Sequence, residues 1–273
     1  MRVRVALVAM LAVLLAGCGA ATRALPPDDA VRAAVASTVA AGPSRVTITG
    51  RTAVAGQEIP LQGSGVLDAG AQAADLTVGV PSLGPVRVVF SGGRAAAQLP
   101  PTAAGLLGAV AGGRPWVSVD VDRLAQSRVG APLGALGVGT TDNPARQLGY
   151  LRAIRDDARE VGPEQVEGVA TTHYAAVIDL DRVPGAQDPA TRPAVDRLKA
   201  DLGTSAVPVD LWVGPDGKLV RVAQDVTVPA PTSGAGAPTT TTTTLTFADV
   251  GKAPAVVPPP ADQVADLSAF LPG

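Results

Sequence analysis

Ser44-Arg45-Val46-Thr47-Ile48-Thr49, residues 44 to 49, turns Val46 and Ile48 to one side and Arg45, Thr47 and Thr49 to the other. A period of two is that of a half-buried strand. After this first run, at residues 44 to 51, further strands are expected near 57 to 67, 73 to 80, 85 to 91, 94 to 99 and 115 to 120. Gly and Asp turn signals separate them at Val54-Ala55-Gly56, Asp68-Ala69-Gly70 and Ser91-Gly92-Gly93. Spacers this short join antiparallel neighbours, because a parallel pair needs a long crossover. The expectation is an antiparallel meander with one wet face and one buried face.

Downstream, Pro101 to Gly113 breaks the rhythm with Ala103, Ala104, Leu106, Leu107, Ala109, Val110 and Ala111 among glycines. It is too apolar for an ordinary exposed loop. It reads either as a short helix or flap over an apolar interior or as a buried connector. Asp120 to Gln126 reads as one helical turn, and Asn143-Pro144 as the cap and first position of a helix carrying Leu148, Leu151 and Ile154 on one face. Strands resume at 158 to 162 and 165 to 180, the second placing Thr172, Tyr174, Ala176 and Ile178 on one side. A helix near Pro193 to Leu202 stops at Gly203. The clearest hairpin joins Ala206–Val213 to Lys218–Pro229 through Gly214-Pro215-Asp216-Gly217. A flexible loop at 230 to 238 precedes a last strand that starts in the six threonines Thr239 to Thr244. The tail carries Val264, Leu267 and Phe270, which are expected to dock back onto the body.

Upstream lies a helix with Asp28 or Asp29 as its cap, apolar positions at Val31, Ala34, Val35, Thr38 and Val39, and Gly42-Pro43 as its stop. Before it come Arg2 and Arg4, a charge-free apolar run from Val5 to Leu15, and Leu15-Ala16-Gly17-Cys18. That is a secretory leader. Its end resembles the lipobox of bacterial lipoproteins, which implies cleavage before Cys18 and a diacylglyceryl group on its thiol. An uncleaved anchor is the alternative, but the apolar run is shorter than the roughly 18 to 20 residues that span a bilayer. The expected division is a signal peptide at 1 to 17, a lipidated tether at 18 to 27 and one domain at 28 to 273.

Composition limits the function. The net charge is -2, and loss of Arg2 and Arg4 with the leader leaves -4, so no basic face for nucleic acid is offered. Cys18 is the single cysteine, so an exported chain in an oxidising space has no internal disulfide available. Hydrophobic residues make up 47% of the chain but aromatics only 3%, so Ala, Val and Leu fill the core. Such a core is either closely layered or under-filled, and an under-filled apolar interior can take a ligand. The other explanation is the Ala, Gly, Val and Pro bias of a high-GC genome.

Glu167-Gly168-Val169-Ala170-Thr171-Thr172-His173-Tyr174, running on to Leu180, resembles the actinobacterial lipoproteins of the LppX/LprAFG type. The match recurs at Val207 to Val213 with Asp216 to Arg221, and at Thr246 to Gly251 with the proline-rich stretch to Asp262. The resemblance covers the carboxy-terminal half; the other half agrees in pattern. It implies an α+β fold, a curved antiparallel LolA-like half-barrel wrapped around a few helices, with an apolar cavity that in relatives holds lipid acyl chains.

Catalytic constellations fail on residue types. His173 is the only histidine, which rules out a trio of histidine ligands, and the sequence places no carboxylate beside it. Ser64 between Gly63 and Gly65 lacks nucleophile-elbow spacing. Asp120 with Asp122 and Asp179 with Asp181 read as caps and strand ends rather than calcium ligands. Trp116 and Trp212 read as core or interface anchors. No enzyme activity, metal or cofactor is expected. The expected function is a monomeric envelope lipoprotein, held at the outer face of the cytoplasmic membrane through Cys18, that binds a lipid or glycolipid chain for transport or envelope assembly. Wall or lid positions are expected at Val78, Val80, Leu83, Val88, Leu106, Leu107, Val110, Leu148 and Leu151. The alternative is a fully packed scaffold or partner-binding lipoprotein.

Overall fold

The computed structural model describes residues 25–54, 56–80, 83–126, 144–189, 191–230 and 237–268. The leader, Cys18, Asn143, Phe270 and most of the 230 to 238 loop lie outside them, as do the side chains of Leu106 and Leu107.

Among the described residues, twelve strands form one sheet. They are β1 (Ser44–Val54), β2 (Gln57–Asp68), β3 (Ala73–Val80), β4 (Gly84–Ser91), β5 (Arg94–Gln98), β6 (Trp116–Asp120), β7 (Arg159–Val166), β8 (Val169–Asp179), β9 (Ala206–Val213), β10 (Leu219–Val228), β11 (Thr239–Ala248) and β12 (Val264–Asp266). Their order is β12-β6-β5-β4-β3-β2-β1-β11-β10-β9-β8-β7. Each of the two halves is a meander of neighbouring hairpins, and β11 joins them by pairing with both β1 and β10. All pairs are antiparallel except β12 with β6. The tail therefore docks as expected but as a parallel edge strand, which the expectation of a wholly antiparallel sheet did not include.

The helices are α1 (Pro27–Ala41), α2 (Pro101–Leu107), α3 (Val121–Gln126), α4 (Pro144–Tyr150) and α5 (Arg192–Leu202). One face of α1 is covered: Val31, Ala34, Val35 and Thr38 are buried at the three-to-four spacing of an amphipathic helix. They share a core with Val46 and Ile48 of β1, Leu67 of β2, Leu76 of β3, Leu211 of β9, Val222 of β10 and Phe247 of β11. Strands from both halves can reach one helix only if the sheet curves around it. Two glycines permit close strand approach. A Cβ on Gly65 would lie 2.0 Å from the Asp75 carbonyl oxygen, and one on Gly50 2.1 Å from that of Thr242.

Three local expectations are corrected. Neither Asp28 nor Asp29 caps α1, because Pro26 holds the cap position and Pro27 the first turn; the Asp28 carboxylate instead accepts the Ala158 N–H at 2.7 Å. Gly162-Pro163 does not separate two strands. β7 runs through it with a bulge between Glu160 and Gly162, and the turn falls at Glu167-Gly168. An edge strand tolerates this, since a proline there gives up no ladder bond. The helix expected to carry Ile154 ends at Tyr150, followed by a 3-10 turn at Leu151–Ala153, and Ile154 bridges to Ile178.

Candidate functional site

A groove of about 450 Å³ opens beside α1, lined by Arg32, Val35, Ala36, Val39, Ala40, Gly70 and Arg152. Three elements make it. Helix α1 supplies an apolar strip at positions 35, 36, 39 and 40, adjacent along one side because i, i+3 and i+4 residues are neighbours. The turn between β2 and β3 closes one end, where a Cβ on Gly70 would sit 3.4 Å from the Val39 carbonyl oxygen. The 3-10 turn Leu151–Ala153 buries Leu151 and Ala153 in the core and leaves Arg152 exposed at the groove. Arg32 is held by Asp156, whose other oxygen takes both terminal nitrogens of Arg182 at 3.2 Å. Hydrogen bonds from Arg182 first and Arg32 second keep the Asp156 carboxyl below its ordinary range. The site is thus an apolar trough with two guanidinium groups on its border.

The residues expected to form a cavity wall divide into separate groups. Val78, Val80 and Val88 lie on the inner face of the sheet, since Val88 pairs with Leu76 and Val78 with Val86. They are half-buried. On the same face the row Leu76, Val88, Ala97, Val117 runs across β3 to β6 and passes from buried at Leu76 to half-buried in the rest. Leu83 in the β3–β4 turn is 40% exposed and Val110, beyond α2, 49%. Leu148 and Leu151 are packed in the core at 4% and 1% exposure, facing α1 and the sheet rather than an opening. Leu106 and Leu107 fall on α2. Of the seven whose side chains are described, none lines the groove. Its own residues were hidden in the sequence because Arg32 and Arg152 are remote in the chain and Gly70 reads only as a turn residue.

The outer face of the sheet carries the polar cluster. The register sets His173 opposite Trp212, and the rings stack at 4.3 Å with a 12° tilt. His173 Nε2 donates to Asp210 at 2.8 Å and its Nδ1 lies 3.5 Å from Glu164. Trp212 Nε1–H donates to the same Glu164 oxygen at 2.8 Å, and Arg221 covers the indole at 5.6 Å. The lone histidine therefore has two carboxylate neighbours that the sequence did not place, because they come from β7 and β9 through cross-strand pairing. The contacts are those of a packed surface cluster, with the Thr171 hydroxyl donating to the Glu164 carbonyl at 2.7 Å. Asp120 and Asp179 accept backbone N–H groups as caps. No group of three or more metal-ligating side chains occurs among the described residues, and no helix among them is long and apolar enough to cross a membrane.

At the other end of the outer face, Trp116, Val89 and Ala96 form a second small cluster. Val256 and Val264 of the carboxy-terminal strap pack over it. Arg87 lies over the Trp116 ring at 5.5 Å and is fixed by Asp75 at 2.9 and 2.6 Å.

No family model and no curated protein matches the chain. Among solved structures, the lipoprotein LppX of Mycobacterium tuberculosis is similar with a TM-score of 0.44 and 17% identity, over 85% of this chain and 98% of LppX. LprF from Mycobacterium bovis is similar with a TM-score of 0.41 and 12% identity, over 85% of this chain and 96% of its own. A LolA superfamily protein from Nitrosomonas europaea gives 0.33 and 8%, over 85% and 96%.

Proposed function

We propose that the chain is a lipid-anchored protein of the cell envelope that binds the acyl chain of a lipid and presents or transfers it at the membrane surface. The observation that carries the reading is the groove of about 450 Å³ floored by Val35, Ala36, Val39 and Ala40. This is within the roughly 300 to 1,000 Å³ of small-molecule sites, and each methylene removed from water contributes about 0.8 kcal/mol. Cys18 at the end of the leader supports the anchor, since two acyl chains hold a protein to a bilayer where one is marginal.

Two measurements test this. Native mass spectrometry of the domain from residue 19 onward, mixed with a single-chain lysophospholipid and freed of detergent, is expected to show a one-to-one lipid adduct; a clean apo mass overturns the binding. Fractionation of cells carrying Cys18→Ala is expected to find the protein outside the membrane fraction, and retention there overturns the anchor.

A second reading has its own support. Leu67, Leu76, Leu148, Leu151, Ile154, Leu211 and Leu219 form part of one continuous core with no exposure above 4%. A filled interior suits a scaffold that works through its surface. Under that reading the groove takes no lipid and Ala36→Trp changes nothing in the cell.

A further inference from the structure

We infer that the α1 groove takes a single-chain amphiphile with an anionic head group, and that Arg152 is the head-group contact. The inference rests on the acyl-binding reading above and adds the ligand's charge and chain number. Chain number follows from size. A methylene is about as large as a water molecule, which takes roughly 30 Å³ in the liquid, so about fifteen carbons fill the groove's 450 Å³. That is one chain rather than two.

Charge follows from which cation is already spent. Arg32 gives one terminal nitrogen to Asp156 and to the Ile154 carbonyl, and its other lies 3.7 Å from Asp29. It is fixed in place and largely compensated. Arg152 is exposed and has no ion pair among the described residues. The carboxylate that holds Arg32 is itself spent, because Asp156 is shared by Arg32 and Arg182. A free guanidinium at the rim of an apolar trough complements a carboxylate or phosphate head, which it can engage through two parallel hydrogen bonds. A neutral head gains nothing comparable there.

The positions are also separable. Ala36 is exposed on α1, so a bulky side chain there obstructs the trough without entering the core. Arg152 points outward from a turn whose neighbours Leu151 and Ala153 hold the fold. The described fold starts at Leu25, so a chain from residue 19 onward, lacking the acylated Cys18, keeps every described element.

The test is titration calorimetry of that chain from residue 19 onward with dodecanoate and with dodecanol, without further change and as Arg152→Gln and Ala36→Trp, with thermal melts to confirm that each variant is folded. Dodecanoate is expected to bind about tenfold more tightly than dodecanol, with the gap narrowing as salt rises. Arg152→Gln is expected to bring the two to parity, and Ala36→Trp to abolish both. Equal affinities on the unaltered protein, with Ala36→Trp still blocking, overturn the anionic head and leave acyl binding intact. A preference that survives Arg152→Gln overturns Arg152 as the contact. No binding of either ligand, or binding indifferent to Ala36→Trp, overturns the acyl-binding reading of the groove and this inference with it.

Discussion

Thr38 Oγ1 accepts the backbone N–H of Leu219 at 2.9 Å across 181 positions of sequence, while donating its own proton to the Ala34 carbonyl at 2.7 Å. Both residues are buried, Thr38 to 4% exposure and Leu219 to 1%. The contact falls where β10 shifts register against β9 between Leu219 and Arg221. A bulge takes an N–H out of the ladder, and a hydroxyl on the central helix satisfies it. Thr38→Val keeps the shape and removes the acceptor, so it is expected to cost about 1 to 3 kcal/mol in urea unfolding, with Thr38→Ser close to unchanged.

Asp266 locks the carboxy-terminal strap. The Ser268 N–H at 2.9 Å is the largest cause, followed by the Ser268 hydroxyl and by Arg94 at 2.7 Å; together they lower the carboxyl from 3.8 to about 2. A folded value below the unfolded one means the stabilisation is present in full above about pH 4 and is lost as pH falls from there through about 2. Hydrogen exchange at the Leu267 amide, bonded to the Ser118 carbonyl at 2.8 Å, is expected to quicken over that window. Asp266→Asn should remove the pH dependence and leave the amide less protected at neutral pH.

Gly65 faces inward between Val46 and Leu76, and its added Cβ would meet main-chain atoms at 2.0, 2.9 and 3.0 Å. Backbone cannot give way as a side-chain tip can. Gly65→Ala is therefore expected to destabilise by about 3 kcal/mol, whereas Gly105→Ala, with open space around it, should be neutral or slightly stabilising for its helix. Thermal melts of the two variants side by side make the comparison.

Glu164 holds the indole N–H of Trp212, which is only 8% exposed. Glu164→Ala leaves that donor without a partner and is expected to cost about 1 kcal/mol, while Glu164→Gln, which keeps an acceptor, should cost less. Denaturant midpoints measure the difference.

The meander was legible because each of its strands alternates and each turn carries Gly, Asp or Pro. The runs at 44 to 51 and 206 to 213 came out as β1 and β9 for that reason. Reading failed where a distant partner decided the outcome. Asp28 looks like a cap by local pattern, but its acceptor oxygen is taken by Ala158. Gly162-Pro163 looks like a stop, but at a sheet edge it makes a bulge. His173 looks solitary until the register of β8 with β9 brings Asp210 to it. The groove was not legible at all: it exists only when the 69 to 72 turn and the 151 to 153 turn meet one side of α1.

Both tryptophans of the chain lie on the outer face, Trp116 beneath the carboxy-terminal strap and Trp212 between His173 and Arg221, while the groove is lined by no aromatic residue. Tryptophan fluorescence is thus blind to the groove and sensitive to the skin of the sheet. A quiet emission spectrum during lipid titration says nothing against binding. A change in it would report that the strap or the β7–β10 surface had moved, which makes the two indoles natural sensors of distant rearrangement rather than of occupancy.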